Sequence, residues 1–200
     1  MKRLLVGFMI LFISLFCMTA FAGTATEAVD DTANEVIAVL KNKSLGTAAK
    51  KERLEVIYKR MFDEVELSRL SLGRNWNKLT ASQQQEFVQL FRKTLENAYA
   101  NKITDYKDEK VKITGERALS ADRAEVQTKV ISASKGIPVL YRLKLKEGKW
   151  KVYDVVIENV SLVQNYRAQF REILMKNSPD QLIEILRKKA ISDVGKPSRN

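Results

Sequence analysis

Histidine is absent from the 200-residue sequence, and cysteine occurs only once, as Cys17. The lack of histidine excludes Ser-His-Asp and Cys-His nucleophilic sites and the usual histidine-ligated metal centres. A single cysteine cannot form an internal disulfide, so the fold must depend on a packed apolar core. The remaining reactive side chains are carboxylates, lysine, tyrosine and serine. This inventory favours binding over catalysis, and we predict no enzyme activity, no metal and no cofactor.

The N-terminus carries one apolar segment of a recognisable kind. Lys2 and Arg3 precede an uncharged apolar run over residues 4–16, and residues 20–22 read Ala-Phe-Ala. A basic start, an apolar centre and an A-x-A site are typical of a secretory signal peptide, and the run is too short for a spanning helix of ~20 residues. We therefore predict a signal peptide over residues 1–22 and a single exported domain over residues 23–200.

The excess of positive charge is the next feature of the sequence. From Gly23 onward the chain has 33 basic and 24 acidic residues, a net charge of +9. In a cytoplasmic protein this excess would suggest a nucleic-acid partner. In an exported chain with scattered charges we expect no nucleic acid, and instead an anionic membrane surface or an acidic protein partner.

Apolar residues recur at helical spacing in the first half of the exported chain and again near its end. We predict helices after Thr24, over about 48–62, over 65–72 and after Thr80, and two more after Ser161 and Ser178. Three pairs have capping-box spacing, in which each side chain meets the other residue's free amide: Thr24 with Glu27, Thr80 with Gln83, and Ser161 with Gln164.

Between residues 110 and 158 the period changes to that of strands. Short turn signals separate four segments, 110–119, 123–134, 137–146 and 149–158, which predict an antiparallel meander. In the third segment Val139 and Tyr141 face one way and Arg142 faces the other. The fourth segment is apolar on both sides, and we predict that Val156 lies on the same face as Val152. The sequence thus predicts a single α+β domain in which helices wrap a twisted, four-stranded antiparallel sheet.

Two blocks of the sequence carry a family resemblance. The first runs through Phe62-Asp63, Ser68-Arg69-Leu70, Leu72-Gly73-Arg74-Asn75-Trp76 and Gln83-Gln84-Gln85-Glu86-Phe87. The second reads W-K-V-Y-D-V-V-I-E-N-V-S-L from Trp150 to Leu162 and continues through Asn165-Tyr166-Arg167 and Gln169-Phe170. Together they resemble the toluene-tolerance or MlaC-type family of periplasmic phospholipid carriers. The family usually has glycine at the position of Asn159, which indicates a left-handed turn that asparagine also tolerates.

This resemblance implies a soluble periplasmic carrier of glycerophospholipids. It would shuttle them between an outer-membrane lipoprotein complex and an inner-membrane ABC lipid transporter. The acyl chains would lie in an apolar cavity between the sheet and the helices. The residues that we predict to contact lipid are Leu72, Phe91, Leu95, Tyr99, Val126, Val130, Val139, Tyr141, Val156 and Tyr166. For each of them ordinary core packing is an alternative.

Other interpretations of the same residues stay open at this point. Arg74, Arg142 and Arg167 could bind a phosphate through forked hydrogen bonds or simply lie at the surface. A hydrolase would have to use carboxylates such as Asp63, Glu66, Asp154 and Glu158. An envelope protein that binds another protein and carries no lipid is the main alternative to the carrier.

Overall fold

A computed structural model describes residues 23–104, 108–132 and 135–192. The predicted signal peptide and the C-terminal tail from residue 193 lie outside the described residues. The elements are α1 (Ala25–Lys41), α2 (Thr47–Met61), α3 (Glu64–Leu72), a 3-10 segment (Gly73–Lys78), α4 (Ala81–Thr104), β1 (Lys110–Ser120), β2 (Arg123–Ile131), β3 (Gly136–Lys146), β4 (Lys149–Ile157), β5 (Val160–Ser161), α5 (Leu162–Lys176) and α6 (Pro179–Ser192). Over the described residues, no helix combines the length and the apolar character needed to cross a membrane.

The helix starts are those that the capping pairs predict. Thr24 and Glu27 form a complete capping box at α1. The Thr80 N–H donates to Gln83 Oε1 (2.8 Å), and the Gln83 N–H donates to Thr80 Oγ1 (3.2 Å). Helix α3 ends at Gly73, whose φ of +56° is a left-handed conformation that glycine adopts without a steric penalty.

The sheet is an antiparallel meander in the order β1-β2-β3-β4-β5. The prediction of four strands is corrected to five, because Val160 and Ser161 pair with Ile157 and Val156 after a tight turn. Two residues are too few to give a periodic signal, so this strand could not be recognised from the sequence. Asn159 in that turn has a φ of +67°, as the comparison with glycine predicts.

The pairing register separates two chemically different faces of the sheet. What we call the apolar face consists of Val111, Ile113, Glu116, Ala118, Ala124, Val126, Thr128, Val130, Ile137, Val139, Tyr141, Leu143, Leu145, Trp150, Val152, Val155 and Ile157. What we call the basic face consists of Lys110, Lys112, Gly115, Arg117, Arg123, Glu125, Gln127, Lys129, Pro138, Leu140, Arg142, Lys144, Lys146, Lys149, Lys151, Asp154 and Val156.

An irregularity in β4 changes the face of the sheet on which Val156 lies. Arg142 pairs with Asp154 while the next residue, Leu143, pairs with Val152, so one extra residue is inserted at Tyr153. A bulge of this kind reverses the alternation beyond it. Val156 therefore lies on the basic face, opposite Leu140, and the prediction that it shares a face with Val152 is wrong.

Two buried clusters form the core. One lies among helices and contains Leu67, Leu72, Leu79, Phe87, Phe91, Leu95, Val163, Tyr166, Phe170, Leu182 and Leu186. The other joins α1 and Met61 to the sheet and contains Ala25, Val29, Met61, Ala124, Val126, Leu143 and Val152. Phe62 packs against both clusters and links them.

Candidate functional site

One half of the apolar face is closed by helix α1 and the end of α2. Ala124, Val126, Leu143 and Val152 are at most 2% exposed and pack against α1 and Met61. The Thr26 N–H donates to Glu116 Oε2 (2.9 Å), which fixes the start of α1 against β1. Of the predicted strand contacts, Val126 therefore lies where a helix already covers the sheet.

The other half of the apolar face is only partly covered, and we call it the open half. It lies toward the β2–β3 connection and consists of Val111, Ile113, Val130, Ile137 and Ile157, all of which keep part of their surface accessible. Ile157 is 37% exposed. Apolar side chains that stay accessible side by side mark a binding surface when they form a continuous patch.

Tyr141 and Val139 lie at the junction between the closed and open halves. Val139 is 8% exposed and pairs with Thr128, whose hydroxyl donates to the Val139 carbonyl (3.1 Å). Tyr141 pairs with Val126 on one side and Val155 on the other. Its side chain keeps some accessible area, but burial of the hydroxyl raises the pKa of Tyr141 above its ordinary value. Val130, Val139 and Tyr141 thus lie together on the apolar face, whereas Val156 lies on the basic face.

The predicted helical contacts occupy a different place. Phe91 is fully buried and packs edge-on against Tyr166 (4.8 Å between ring centroids) and Phe170 (5.2 Å). Leu72, Leu95 and Tyr166 belong to the same helical cluster. These contacts favour ordinary core packing for all four. Tyr99 lies in α4, and its side chain is outside the described residues.

Two aromatic residues outside the predicted set of lipid contacts connect the helices to the sheet. Tyr58 stacks on Phe62 with ring centroids 4.4 Å apart, and Phe62 pairs with Val152 across the edge of β4. Burial, together with the carboxylates of Glu64 and Glu96, raises the pKa of Tyr58 above its ordinary value. The two rings are four residues apart, a spacing that places side chains on the same face at the end of α2.

A cluster of charges lies next to these rings, between α2, α3 and α4. Arg92 binds Glu55 (2.9 Å) and Glu96 (2.5 Å) and lies 3.8 Å from Glu64. Burial raises the pKa of the Glu64 carboxyl, because the attraction of Arg92 offsets only part of the loss of hydration. The arrangement ties three helices together through one guanidinium.

Two of the predicted phosphate ligands have structural partners instead. Arg142 donates from Nε to Glu125 Oε1 and from Nη1 to Asp154 Oδ2, both at 3.0 Å. Arg167 donates from Nε to the Leu70 carbonyl (2.7 Å) at the end of α3. Arg74 is exposed in the 3-10 segment.

The carboxylates considered for a hydrolase are engaged in the fold. Asp63 caps α3 by accepting from the Glu66 N–H (3.1 Å) and binds Lys146 (3.0 Å). Glu66 is paired with Arg69, and this hydrogen bond lowers the pKa of Glu66. Asp154 accepts from the Val163 N–H (3.1 Å) at the start of α5.

Glu158 occupies the exposed β4–β5 turn. Across residues 23–104, 108–132 and 135–192, no three histidine, cysteine, aspartate or glutamate side chains are grouped so that they could hold a metal ion.

Two surface grooves lie away from the apolar face. One lies between α1 and α2 and includes Val39 and Val56, and the other lies between α4 and α6 and includes Glu86 and Arg187.

Comparison with known proteins gives two relatives. The intermembrane phospholipid transport system binding protein MlaC of Haemophilus influenzae is 30% identical over 124 residues. That match spans 60% of this chain and 58% of the Haemophilus protein, which is less than two thirds of its length. The toluene tolerance protein ttg2D of Pseudomonas putida is 26% identical over 180 residues, which is 87% of this chain and 84% of that protein.

A solved structure has the same fold. The phospholipid-binding protein of Ralstonia solanacearum, in complex with a phospholipid, superposes with a TM-score of 0.78 at 21% sequence identity. The superposition covers 86% of this chain and 99% of that one. The family model described as MlaC protein matches residues 30–188, which extend from α1 into α6. Since this match includes the whole sheet and the helices on both sides of it in sequence, the chain belongs to the MlaC family.

Proposed function

We propose that this chain is a periplasmic carrier of glycerophospholipids and that it holds their acyl chains against the open half of the apolar face. The observation that carries the proposal is the partly covered row of apolar side chains beside Val139 and Tyr141. Family membership supports it, as do the names of the Haemophilus and Ralstonia proteins, which refer to phospholipid.

The energetics of acyl chains explain why such a surface needs only apolar side chains. Each methylene withdrawn from water contributes ~0.8 kcal/mol, so two chains of roughly fifteen carbons cost on the order of 20 kcal/mol to expose. A carrier has to replace water around most of that surface. The open half would supply one wall, and the neighbouring helices the other, while the polar head group remains in water.

The role of shuttle and its partners are part of the same proposal. The chain would receive or deliver phospholipid at an outer-membrane lipoprotein complex and at an inner-membrane ABC lipid transporter. Export by the predicted signal peptide would place it between the two membranes. None of these steps requires a catalytic group.

Mass spectrometry of organic extracts tests the proposal. The chain is purified from a bacterial envelope fraction without detergent, extracted with organic solvent, and compared with a maltose-binding protein prepared in parallel. Phospholipid recovered near one molecule per protein is expected from the chain only. A preparation that is folded but free of phospholipid, even after incubation with phospholipid vesicles, would contradict carriage and favour a protein-interaction module.

A further inference from the structure

The basic face of the sheet concentrates the positive charge of the molecule. Its side chains include ten lysines and arginines and two carboxylates, a net charge of +8. The chain from Gly23 onward has a net charge of +9. The net charge of this one sheet face is therefore nearly equal to the net charge of the whole exported chain. The apolar face has a single charged residue, Glu116.

The two carboxylates of the basic face are already neutralised by its arginines. Glu125 is 4% exposed and binds Arg117 and Arg142, and Asp154 is 3% exposed and binds Arg142. Burial alone would raise the pKa of Glu125, but hydrogen bonds from the two arginines outweigh it and hold the pKa below its usual range. Neither carboxylate is available to balance the lysines around it.

Cations on this face stand directly opposite one another. Lys112 pairs with Lys129 across β1 and β2. Arg123 pairs with Lys144, which in turn pairs with Lys151, so three cations form a row across β2, β3 and β4. Like charges in directly opposed positions destabilise a sheet. These pairs therefore do not contribute to the stability of the fold, and a role in binding would explain them.

Three lysines at one end of the face are free of ion pairs. Lys110, Lys112 and Lys129 are exposed, and none lies within ion-pair distance of a carboxylate in the described part of the chain. The acidic residues nearest to them in sequence are Asp108 and Glu109 before β1, Glu116 on the apolar face, and Glu125, which two arginines already bind. At the opposite end Lys146 binds Asp63, and Lys151 donates to the Arg60 carbonyl.

We infer that the basic face lies against an anionic phospholipid bilayer during the working cycle of the protein. Seven of its ten cations are lysines, a residue depleted at protein–protein interfaces but effective as a mobile point charge near anionic lipids. The central row, Gly115, Gln127, Leu140 and Val156, carries no charge. A broad set of flexible cations without a shaped pocket fits a membrane surface better than one acidic protein.

This inference does not depend on the cargo site, which lies on the other side of the sheet. Contact through the basic face would leave the open half of the apolar face free to exchange lipid. It would also confine the protein to the neighbourhood of a membrane before it meets any partner. The attraction is electrostatic, so it weakens as the Debye length shortens with added salt.

Vesicle sedimentation with a matched pair of variants tests the inference. The purified chain is spun with vesicles of phosphatidylcholine alone or mixed with phosphatidylglycerol, at low and moderate ionic strength. The test variant is Lys110→Gln/Lys112→Gln/Lys129→Gln. The control is Lys43→Gln/Lys51→Gln/Lys176→Gln, which removes three exposed lysines from helices or their connections. Thermal melting verifies that both fold, and the test variant should be no less stable because it removes opposed charges.

The native chain should sediment with the mixed vesicles and not with phosphatidylcholine alone. Each lost cation near an anionic surface lowers the affinity about fivefold, so the test variant should bind about a hundredfold more weakly. The control should stay within about threefold of the native chain, because its changes lie away from the face.

Failure of the native chain to sediment with the mixed vesicles, or equal loss in both variants, would overturn the inference. If the native chain does not sediment with vesicles but binds immobilised polyglutamate, and the test variant does not bind it, the basic face binds an acidic protein instead. Phospholipid taken up into the protein is counted separately in the supernatant, so failure of carriage and failure of membrane contact give different results.

Discussion

At the scale of single residues, the buried carboxylates Glu125 and Asp154 join neighbouring strands, and Asp154 also joins the sheet to α5. Arg142 bridges them, and Asp154 passes the connection to α5 through the Ser161 hydroxyl (2.7 Å) and the Val163 N–H. Buried carboxylates are tolerated only when they are paired and hydrogen-bonded. The motif residues Asp154 and Ser161 thereby have a structural role at the start of α5.

Replacing Glu125 with glutamine should lower the free energy of unfolding by about 1–3 kcal/mol at neutral pH, since the partly exposed arginines limit the loss. Because the folded pKa of Glu125 is depressed, its contribution is present above the unfolded value of about 4.3 and is lost as the pH falls through the folded value. Urea unfolding measured from neutral to acid pH should show that the difference in free energy of unfolding between the native chain and the variant becomes smaller as the pH falls.

Glu52→Gln is the matched control, because Glu52 is exposed on α2 and should change stability by less than about 0.5 kcal/mol. A gap between the native chain and Glu125→Gln that stays constant down to acid pH would show that Glu125 does not contribute as an ion.

At the scale of elements, the connections between helices and strands contain the residues with a restricted backbone conformation. Gly73 joins α3 to the 3-10 segment with a positive φ, and Arg167 of α5 passes over it, with its Nε 3.5 Å from where a Cβ would lie. The Arg167 side chain also binds the end of α3. The conformation of Gly73 thus sets where α5 meets α3.

Gly73→Ala should lower the free energy of unfolding by about 1–2 kcal/mol, because alanine is strained in a left-handed conformation. Gly46→Ala is the matched change, since Gly46 has a φ of −68° and open space around it, and should alter stability by less than about 0.5 kcal/mol. Urea titration of both variants measures the difference. Equal effects at the two positions would contradict the strain argument.

The β4–β5 turn offers a second test at this scale. Asn159 has a φ of +67°, a conformation that glycine and asparagine tolerate best. Asn159→Gly should keep the free energy of unfolding within about 0.5 kcal/mol of the native value, whereas Asn159→Val should lower it by more than about 1 kcal/mol. Thermal melting compares the two, and a tolerated valine would show that the turn adopts another conformation.

The same elements show what the sequence could and could not predict. Alternation in β3 correctly placed Val139 and Tyr141 on one face and Arg142 on the other. The facing of Val156 was wrong, because the bulge at Tyr153 arises from pairing with β3 and leaves no local pattern. The stripe containing Phe91 indicated a buried helix face, but a stripe does not say whether another helix, the sheet or a ligand covers it.

At the scale of the whole molecule, the sheet separates two surfaces. One face is apolar, closed by α1 and Met61 at one end and partly open at the other, whereas the reverse face is cationic. We propose that the open half of the apolar face holds acyl chains, and this placement can be tested directly.

Val139 and Val156 provide the most direct measurement, because they lie on opposite faces of adjacent strands. The phospholipid bound per protein is quantified in detergent-free preparations of Val139→Glu and Val156→Glu, with circular dichroism melting on the same samples. A carboxylate facing acyl chains is costly, so Val139→Glu should remain folded and lose most of its lipid, whereas Val156→Glu should retain it. Undiminished lipid in folded Val139→Glu, or equal loss in both variants, would contradict acyl-chain binding on the open half.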